Sequence, residues 1–266
     1  MKMEKTTYIH GTESAEQARL RLLNELTNRP FIDFLELEET SSVLEVGSGL
    51  GILAQEVARV VTKGEVYGVE YSPEQLAQAE ASSTNLHLVQ GDAHHLQFED
   101  ERFDVVYCRY VLEHVAHPSQ VVTEMRRVLK PGGQVFIQEN NILVNTFYPE
   151  CPRFDALWRQ FALLQQKLGG DALIGKKLLP LLKRAGFEEI RLSIQPEIHH
   201  SGKPSFRPWI ENQIGNIESA ATELEAHQLT TAEEIELAIN EVRALLERDD
   251  AGAFFYWNRA TGVRPT

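Results

Sequence analysis

From Ser42 to Glu139, short apolar runs alternate with segments whose apolar residues recur at helical spacing. Ser42 to Val46 (SVLEV) is a continuous apolar run that ends in glycines, the pattern of a strand buried on both faces of a parallel sheet. Leu53, Val57, Val60 and Val61 follow on one helical face. Glu65 to Glu70 (EVYGVE) reads as a second strand. Ser72 as N-cap, Pro73 at the first position and Gln75 closing a capping box then start a helix. Asn85 to Gln90 (NLHLVQ) and Phe103 to Cys108 (FDVVYC) are the third and fourth strands. Pro118 opens a helix with Val122, Met125 and Leu129 on one face. The LKPGG segment, Leu129 to Gly133, stops it, and Gln134 to Glu139 (QVFIQE) is the fifth strand. This alternation predicts a doubly wound, mostly parallel α/β sheet with right-handed crossovers.

The flanks have a different rhythm. Ser14 and Gln17 form a capping-box pattern ahead of Leu20, Leu23 and Leu26, which predicts an N-terminal helical region reaching about Leu37. After Asn140, a helical stripe of Phe154, Leu157, Phe161, Leu164 and Leu168 ends at Gly169-Gly170. A second helix, with Pro180 in its first turn or kinking it, leads to Ala185–Phe187. Glu189 to Ile194 (EIRLSI) is a sixth strand, and Gln195 to Trp209 reads as irregular. Two helical regions follow, the later one capped by Thr230 and Glu233, with Ile235, Ile239, Val242 and Leu246 as its stripe. Phe254 to Arg259 (FFYWNR) is the last strand. The organisation expected is an N-terminal helical cap over 1–40, an α/β core over 41–195 and 250–266, and a helical lid over 196–249.

The 266 residues carry 26 Lys and Arg against 39 Asp and Glu, a net charge of -13. Such a surface repels polyphosphate, so neither nucleic acid nor an anionic membrane is an expected partner. Cys108 sits in an apolar run and reads as a small core residue, and two cysteines make no disulfide framework. The start MKMEKTTYIHG lacks an apolar signal region, and no apolar stretch approaches the ~18 residues of a membrane span. The cytoplasm is the expected location.

The chemistry concentrates at the ends of the first three strands. Leu44 to Gly51 (LEVGSGLG) runs a strand into Gly-x-Gly-x-Gly and then a helix. Glycines there allow a tight turn and close approach of a ligand, and the helix start offers free N–H groups. A dinucleotide fingerprint needs its third glycine at the position held by Ile52, so a nicotinamide dehydrogenase is disfavoured. Glu70 ends the second strand, where a carboxylate can accept both ribose hydroxyls; the alternative is an exposed strand-end acid. Asp92, in Gly91–Ala93, can accept from an adenine amino group or simply make a turn. All three features lie where an open α/β sheet binds ligands.

On these residues the chain resembles the class I S-adenosylmethionine-dependent methyltransferases, over about Ser42 to Gly186. LEVGSGLG resembles the family's first motif, Glu70 its ribose acid, GDAHHLQF (Gly91 to Phe98) its adenine segment, FDVVYCRYVLEHV its fourth strand and following helix, and LKPGG with QVFIQE its fifth-strand motif. The resemblance implies S-adenosylmethionine as cofactor and a seven-stranded sheet with an antiparallel last strand. It implies that Glu45, Gly47, Ser48 and Gly49 surround the methionine end, with Arg109 or Tyr110 near the sulfonium and Tyr71, Ala93 and Tyr8 completing the cofactor site. YIHGTESAEQARL, GGDALIGKKLLPLL and the AGF signal are similar to small-molecule methyltransferases of the UbiE-like and natural-product type, which implies a small organic acceptor and a role in secondary metabolism or quinone-like chemistry.

Methyl transfer to an activated carbon is an in-line displacement that needs alignment and exclusion of water, and a base only if the acceptor arrives protonated. His114, Tyr110 and His10 are the candidate catalytic residues, with Tyr8 as a positioning group. His117, His199 and His200 are further candidate bases, and each also reads as a cap, turn or core histidine. The pairs His94-His95 and His199-His200 lack metal-ligand spacing, so no metal is expected. Phe147, Tyr148, Trp158, Phe206 and Trp209 are candidate pocket walls, or lid packing. Two other readings stay open: a cofactor-binding protein with lost or altered chemistry, such as methylation-triggered cyclisation, and a protein or RNA methyltransferase. A homo-oligomer is compatible with the N-terminal helix.

Overall fold

The strands of the core are those the apolar runs predict. The computed structural model describes residues 14–79 and 81–266. Strands β1 (Ser42–Val46), β2 (Glu65–Glu70), β3 (Leu86–Gln90), β4 (Phe103–Arg109) and β5 (Leu129–Glu139) pair in parallel. The order β3-β2-β1-β4-β5 reverses direction between β1 and β4, which opens a crevice beyond their carboxyl ends. β8 (Gly252–Val263) runs antiparallel to β5.

Alternate residues along the strands serve opposite faces. Leu44, Val46, Val106 and Cys108 pack with Val121, Met125 and Leu182 of helices α4 (Pro118–Val128) and α6 (Leu178–Ala185). Val43, Val105 and Tyr107 pack on the other side with Phe31 of α1 (Ser14–Phe34), Leu35 just beyond it, and Leu53 and Val57 of α2 (Ile52–Val60). The period of two thus places a core on each side of the sheet. The short helix α3 (Pro73–Ala77) starts at its expected N-cap, where Ser72 Oγ accepts from the Gln75 N–H.

Beyond β5 the structure departs from the sequence reading in four places. The sheet has eight strands, because Thr146–Tyr148 forms a three-residue β6 against β8. A strand of that length has no periodicity to read. β7 (Glu188–His200) continues past Ile194 because it pairs with β8 in register to His200↔Gly252. The stretch expected to be irregular therefore splits into strand and the first turn of α7 (Phe206–Ala226). The box that caps α8 (Ala232–Arg243) uses Thr231 and Glu234, one residue later than expected.

Helices α5 (Pro152–Lys167), α7 and α8 pack on one another, and α7 meets α1. Phe154, Trp158, Trp209, Ile214 and Ile239 form the core of this helical layer, which reaches Phe255 and Trp257 of β8. It stands over the carboxyl ends of the strands. No helix among the described residues is long and apolar enough to cross a membrane.

Candidate active site

β1 ends in a loop whose three glycines, Gly47, Gly49 and Gly51, all lie at positive φ. The N–H groups of Gly47 and Ser48 both donate to Val69 O, 2.8 and 2.9 Å away, so the loop is pinned to the end of β2. A Cβ on Gly47 would stand 2.4 Å from a Val111 methyl. A Cβ on Gly49 would crowd Gln75 Oε1, at 3.1 Å, the far end of a flexible side chain, and the φ of 55° there favours glycine. Glu70 is buried, and its carboxylate accepts the Gly49 N–H at 2.8 Å and the Ser72 N–H at 2.8 Å. It is therefore not the exposed strand-end acid of the alternative reading. Asp92 accepts the His94 N–H at 2.8 Å and lies 2.7 Å from its ring Nδ1. Burial disfavours the Asp92 carboxylate, but these His94 contacts outweigh it and hold the group below its ordinary range.

Glu45 is buried beneath the loop and accepts the Tyr107 hydroxyl at 3.0 Å. Burial raises its carboxyl to about 8, against the opposing pull of Arg109 and the Tyr107 bond. The Arg109 guanidinium itself donates to Asn24, Thr27 and Asn28 of α1. Its fork is directed at that helix. Tyr110 follows with φ 59°, lies 4.4 Å from the Trp257 ring at a tilt of 43° and accepts from Gln138 Nε2 at 2.8 Å. Glu139, at the end of β5, takes the Val111 and Leu112 N–H groups on one oxygen at 2.9 and 2.8 Å, and so fixes the turn after β4.

These elements surround one cavity of about 1280 Å³. Its first half is the glycine loop with Glu45, Gly47, Ser48, Gly49, Glu70, Tyr71, Asp92 and Ala93. Its second half runs from Arg109, Tyr110 and His114 to Trp158 and Phe161 of α5, Asn212, Gln213 and Asn216 of α7, and Phe255 and Trp257 of β8. The structure thus brings the predicted cofactor-binding residues that it describes to one cavity, together with Tyr110 and His114. Tyr8 and His10 lie outside the described residues.

Among the aromatic residues expected to line the pocket, Trp158 does so, with its indole N–H bonded to Ile142 O at 2.7 Å. Phe147, Phe206 and Trp209 are buried in the helical layer instead, and Tyr148 is exposed. Phe206 and Trp209 turn inward because they lie in the first turn of α7, which packs into the helical layer. His199 stacks on Trp209 at 4.4 Å, buried, and His200 is exposed, so neither reaches the cavity. His117 is the N-cap residue of α4, on the cavity wall. Among the described residues no group of three His, Cys, Asp or Glu side chains is arranged to hold a metal ion.

The sequence reading passed over Glu113. It lines the cavity, almost fully buried, with its carboxylate accepting Asn140 Nδ2 at 2.5 Å and Gln165 Nε2 at 2.9 Å. Its neighbour His114 drew attention by residue type. Only the packing of α5 against the turn after β4 shows that the acid points the same way. The α7 amides had no sequence signal at all.

Residues 44–137 match the methyltransferase domain family. The chain is similar to the ubiquinone biosynthesis O-methyltransferase of Hydrogenovibrio crunogenus, 33% identical over 135 residues, 48% of this chain and 54% of the relative. It is equally similar to an uncharacterized methyltransferase of Schizosaccharomyces pombe, 33% identical over 132 residues, 46% of this chain and 48% of the relative. The chain therefore spans about half the length of these curated relatives. The solved phosphoethanolamine N-methyltransferase 2 of Haemonchus contortus, in complex with S-adenosylhomocysteine, shares the fold at 19% identity and a TM-score of 0.54, covering 94% of this chain and 53% of that one. Residues 44–137 thus match the methyltransferase domain, on the strands that carry the glycine loop and the acids ending β2 and β3, and the chain shares its fold with a solved methyltransferase.

Proposed function

We propose that this protein transfers a methyl group from S-adenosylmethionine to a small organic acceptor. The observation that carries this reading is the continuity of the cavity. A glycine-and-acid half and an aromatic-and-amide half share one space under the helical layer. At about 1280 Å³ it exceeds the ~300–1,000 Å³ of most ligand pockets, so cofactor and acceptor have room side by side.

The residues fit the cofactor. Ser48 Oγ is buried without a hydrogen-bond partner, and Gly49 lines the cavity at a φ of 55° that disfavours a side chain. Glu70 would hold the ribose hydroxyls, Asp92 and the Ala93 backbone the adenine, and Glu45 with the Gly47–Gly49 loop the amino-acid end. Glu70, Glu74 and Asp92 on this wall favour a cationic ligand and repel the pyrophosphate of a dinucleotide. When bound, the cofactor supplies an activated methyl carbon on a leaving group that needs no proton. The chain's own work is alignment and exclusion of water. Tyr110 and Trp257 form a wall beside the glycine loop, the α5–α7 layer closes the acceptor side, and His114 stands where it could take a proton from an acceptor hydroxyl. We also propose that residues 196–249, with α5, act as the acceptor lid. The cytoplasm is the compartment expected for this reaction, and two free buried cysteines, Cys108 and Cys151, are compatible with a reducing one.

Calorimetric titration with S-adenosylmethionine and, separately, NADH tests the reading. Micromolar binding of the sulfonium compound alone is expected. Binding of NADH alone, or of neither, refutes it.

A further inference from the structure

The acceptor half of the cavity carries a charge pattern of its own. Glu113 and Glu139 are both buried and face one turn. Glu139 receives its two N–H donors on one oxygen and leaves the other, Oε2, buried with no partner. Burial first, and the Glu113 charge second, hold the Glu139 carboxyl well above the ordinary carboxylate range. Glu113 lies beside it, and its two oxygens each accept a side-chain amide N–H. A carboxylate oxygen has two lone-pair directions, so each Glu113 oxygen keeps one for a ligand.

The rest of the acceptor half offers flat carbon surface and neutral amides. Trp158 and Phe161 lie nearly parallel, 5.3 Å apart at 22°. The indole N–H of Trp158 is spent on Ile142 O, and that of Trp257 on Glu197 at 2.9 Å. These rings therefore present apolar faces and edges to a ligand. Among the described lining residues, Arg109 is the one Lys or Arg, and its guanidinium N–H groups are taken up by α1. His114 Nε2 lies 3.8 Å from Glu113 Oε1, so any charge it gains is answered by that carboxylate.

We infer that the acceptor is a non-anionic aromatic alcohol, held between the Trp158–Phe161 wall and Tyr110, whose hydroxyl donates to the Glu113 carboxylate. A carboxylate or phosphate on the acceptor would meet Glu113 with no free arginine or lysine among the described residues to offset it, and would be rejected. This inference rests on the methyl-transfer reading and narrows its substrate class. Glu113 serves as the specificity-determining residue, and the hydroxyl it binds is the donor end of the acceptor.

Three naphthalene probes test it on the full chain saturated with S-adenosylhomocysteine, read by quenching of tryptophan fluorescence and by calorimetry. 2-Naphthol has the donor, 2-methoxynaphthalene lacks it, and 2-naphthoate replaces it with an anion. The expected order is 2-naphthol tighter than either of the others by about tenfold, the size of a hydrogen bond to a charged group. In Glu113→Gln the preference for 2-naphthol over 2-naphthoate should shrink by about the same factor. Equal or tighter binding of 2-naphthoate, or no binding of 2-naphthol, overturns the inference. An unchanged preference in a folded Glu113→Gln variant, checked by circular dichroism, overturns the assignment to Glu113. If that variant does not fold, the three probes on the wild type still decide. Failure of S-adenosylhomocysteine to bind, with the probe order intact, would sink the methyl-transfer reading, and with it the role of the alcohol as methyl acceptor, and leave only the donor selectivity of Glu113.

Discussion

Glu70 joins two backbone segments that any ligand of the glycine loop must touch. Its carboxylate accepts from Gly49 and Ser72. Glu70→Ala leaves both N–H groups unsatisfied and removes the proposed ribose acceptor. The expected loss of S-adenosylmethionine affinity is about 1.5–3 kcal/mol, read by calorimetry on a variant whose unfolding midpoint is recorded alongside. Unchanged affinity would remove Glu70 from the site. Glu45 supports a pH prediction. Its carboxyl is at about 8 in the fold against 4.5 for the free group, so the folded state holds a proton that the unfolded chain releases. That contribution to stability is complete below about pH 4.5 and is lost as the pH rises through about 8. Thermal unfolding of the ligand-free protein should therefore lose stability between about pH 5 and 8 more steeply than Glu45→Gln does. Parallel curves would show that Glu45 is ionised in the fold. Residue type and position were enough to mark Glu45, Glu70 and Asp92 in the sequence. Glu113 and the α7 amides were not legible, because they matter only through neighbours that are distant along the chain.

Helix α1 illustrates how an element outside the α/β alternation is tied to the site. Arg109 of β4 donates to Asn24, Thr27 and Asn28, and Arg259 of β8 donates to Pro30 O at 3.0 Å. Burial lowers the Arg259 guanidinium to about 10, which marks how far this contact is withdrawn from water. Arg109→Met keeps the length of the side chain and deletes the donors. It should destabilise the protein by about 1.5–3 kcal/mol, seen as a lower urea midpoint with unchanged slope. A wild-type midpoint would mean that α1 is held by its apolar contacts alone. The same helix was readable from a capping pair and leucine spacing. Its docking was not, because an arginine at the end of a strand reads equally as a ligand for the site. β7 and α7 show the opposite failure. Local composition around Pro196, His199, His200 and Pro204 looks irregular, yet pairing along β8 makes the first part strand, and burial of Phe206 and Trp209 makes the second part helix.

At the scale of the whole molecule, the site is a boundary between two layers. The strands contribute the glycine loop and the acids, α1, α5 and α7 contribute the far wall, and neither layer encloses the cavity alone. The net charge of -13 is spread over the chain, but inside the cavity it becomes specific, with acids on both halves and Arg109 bound to α1. A layer held by packing among α5, α7 and α8 is also the part of the protein that can set acceptor shape without disturbing the cofactor half.

The sequence by itself determined the parallel core, its strand order of appearance and the residues that line the proposed cofactor half of the cavity. In that half every functional group sits within a few residues of a strand end, and strand ends are marked by local changes from apolar runs to glycine and polar residues. Tertiary structure alone decided the acceptor half. Its walls come from helices separated from the strands by up to a hundred residues of chain and more, its aromatic members sort between cavity and core by packing, and Glu113 is held by Asn140 and Gln165, both distant from it along the chain. No pattern along the chain encodes those juxtapositions, because they exist only once the helical layer closes over the sheet.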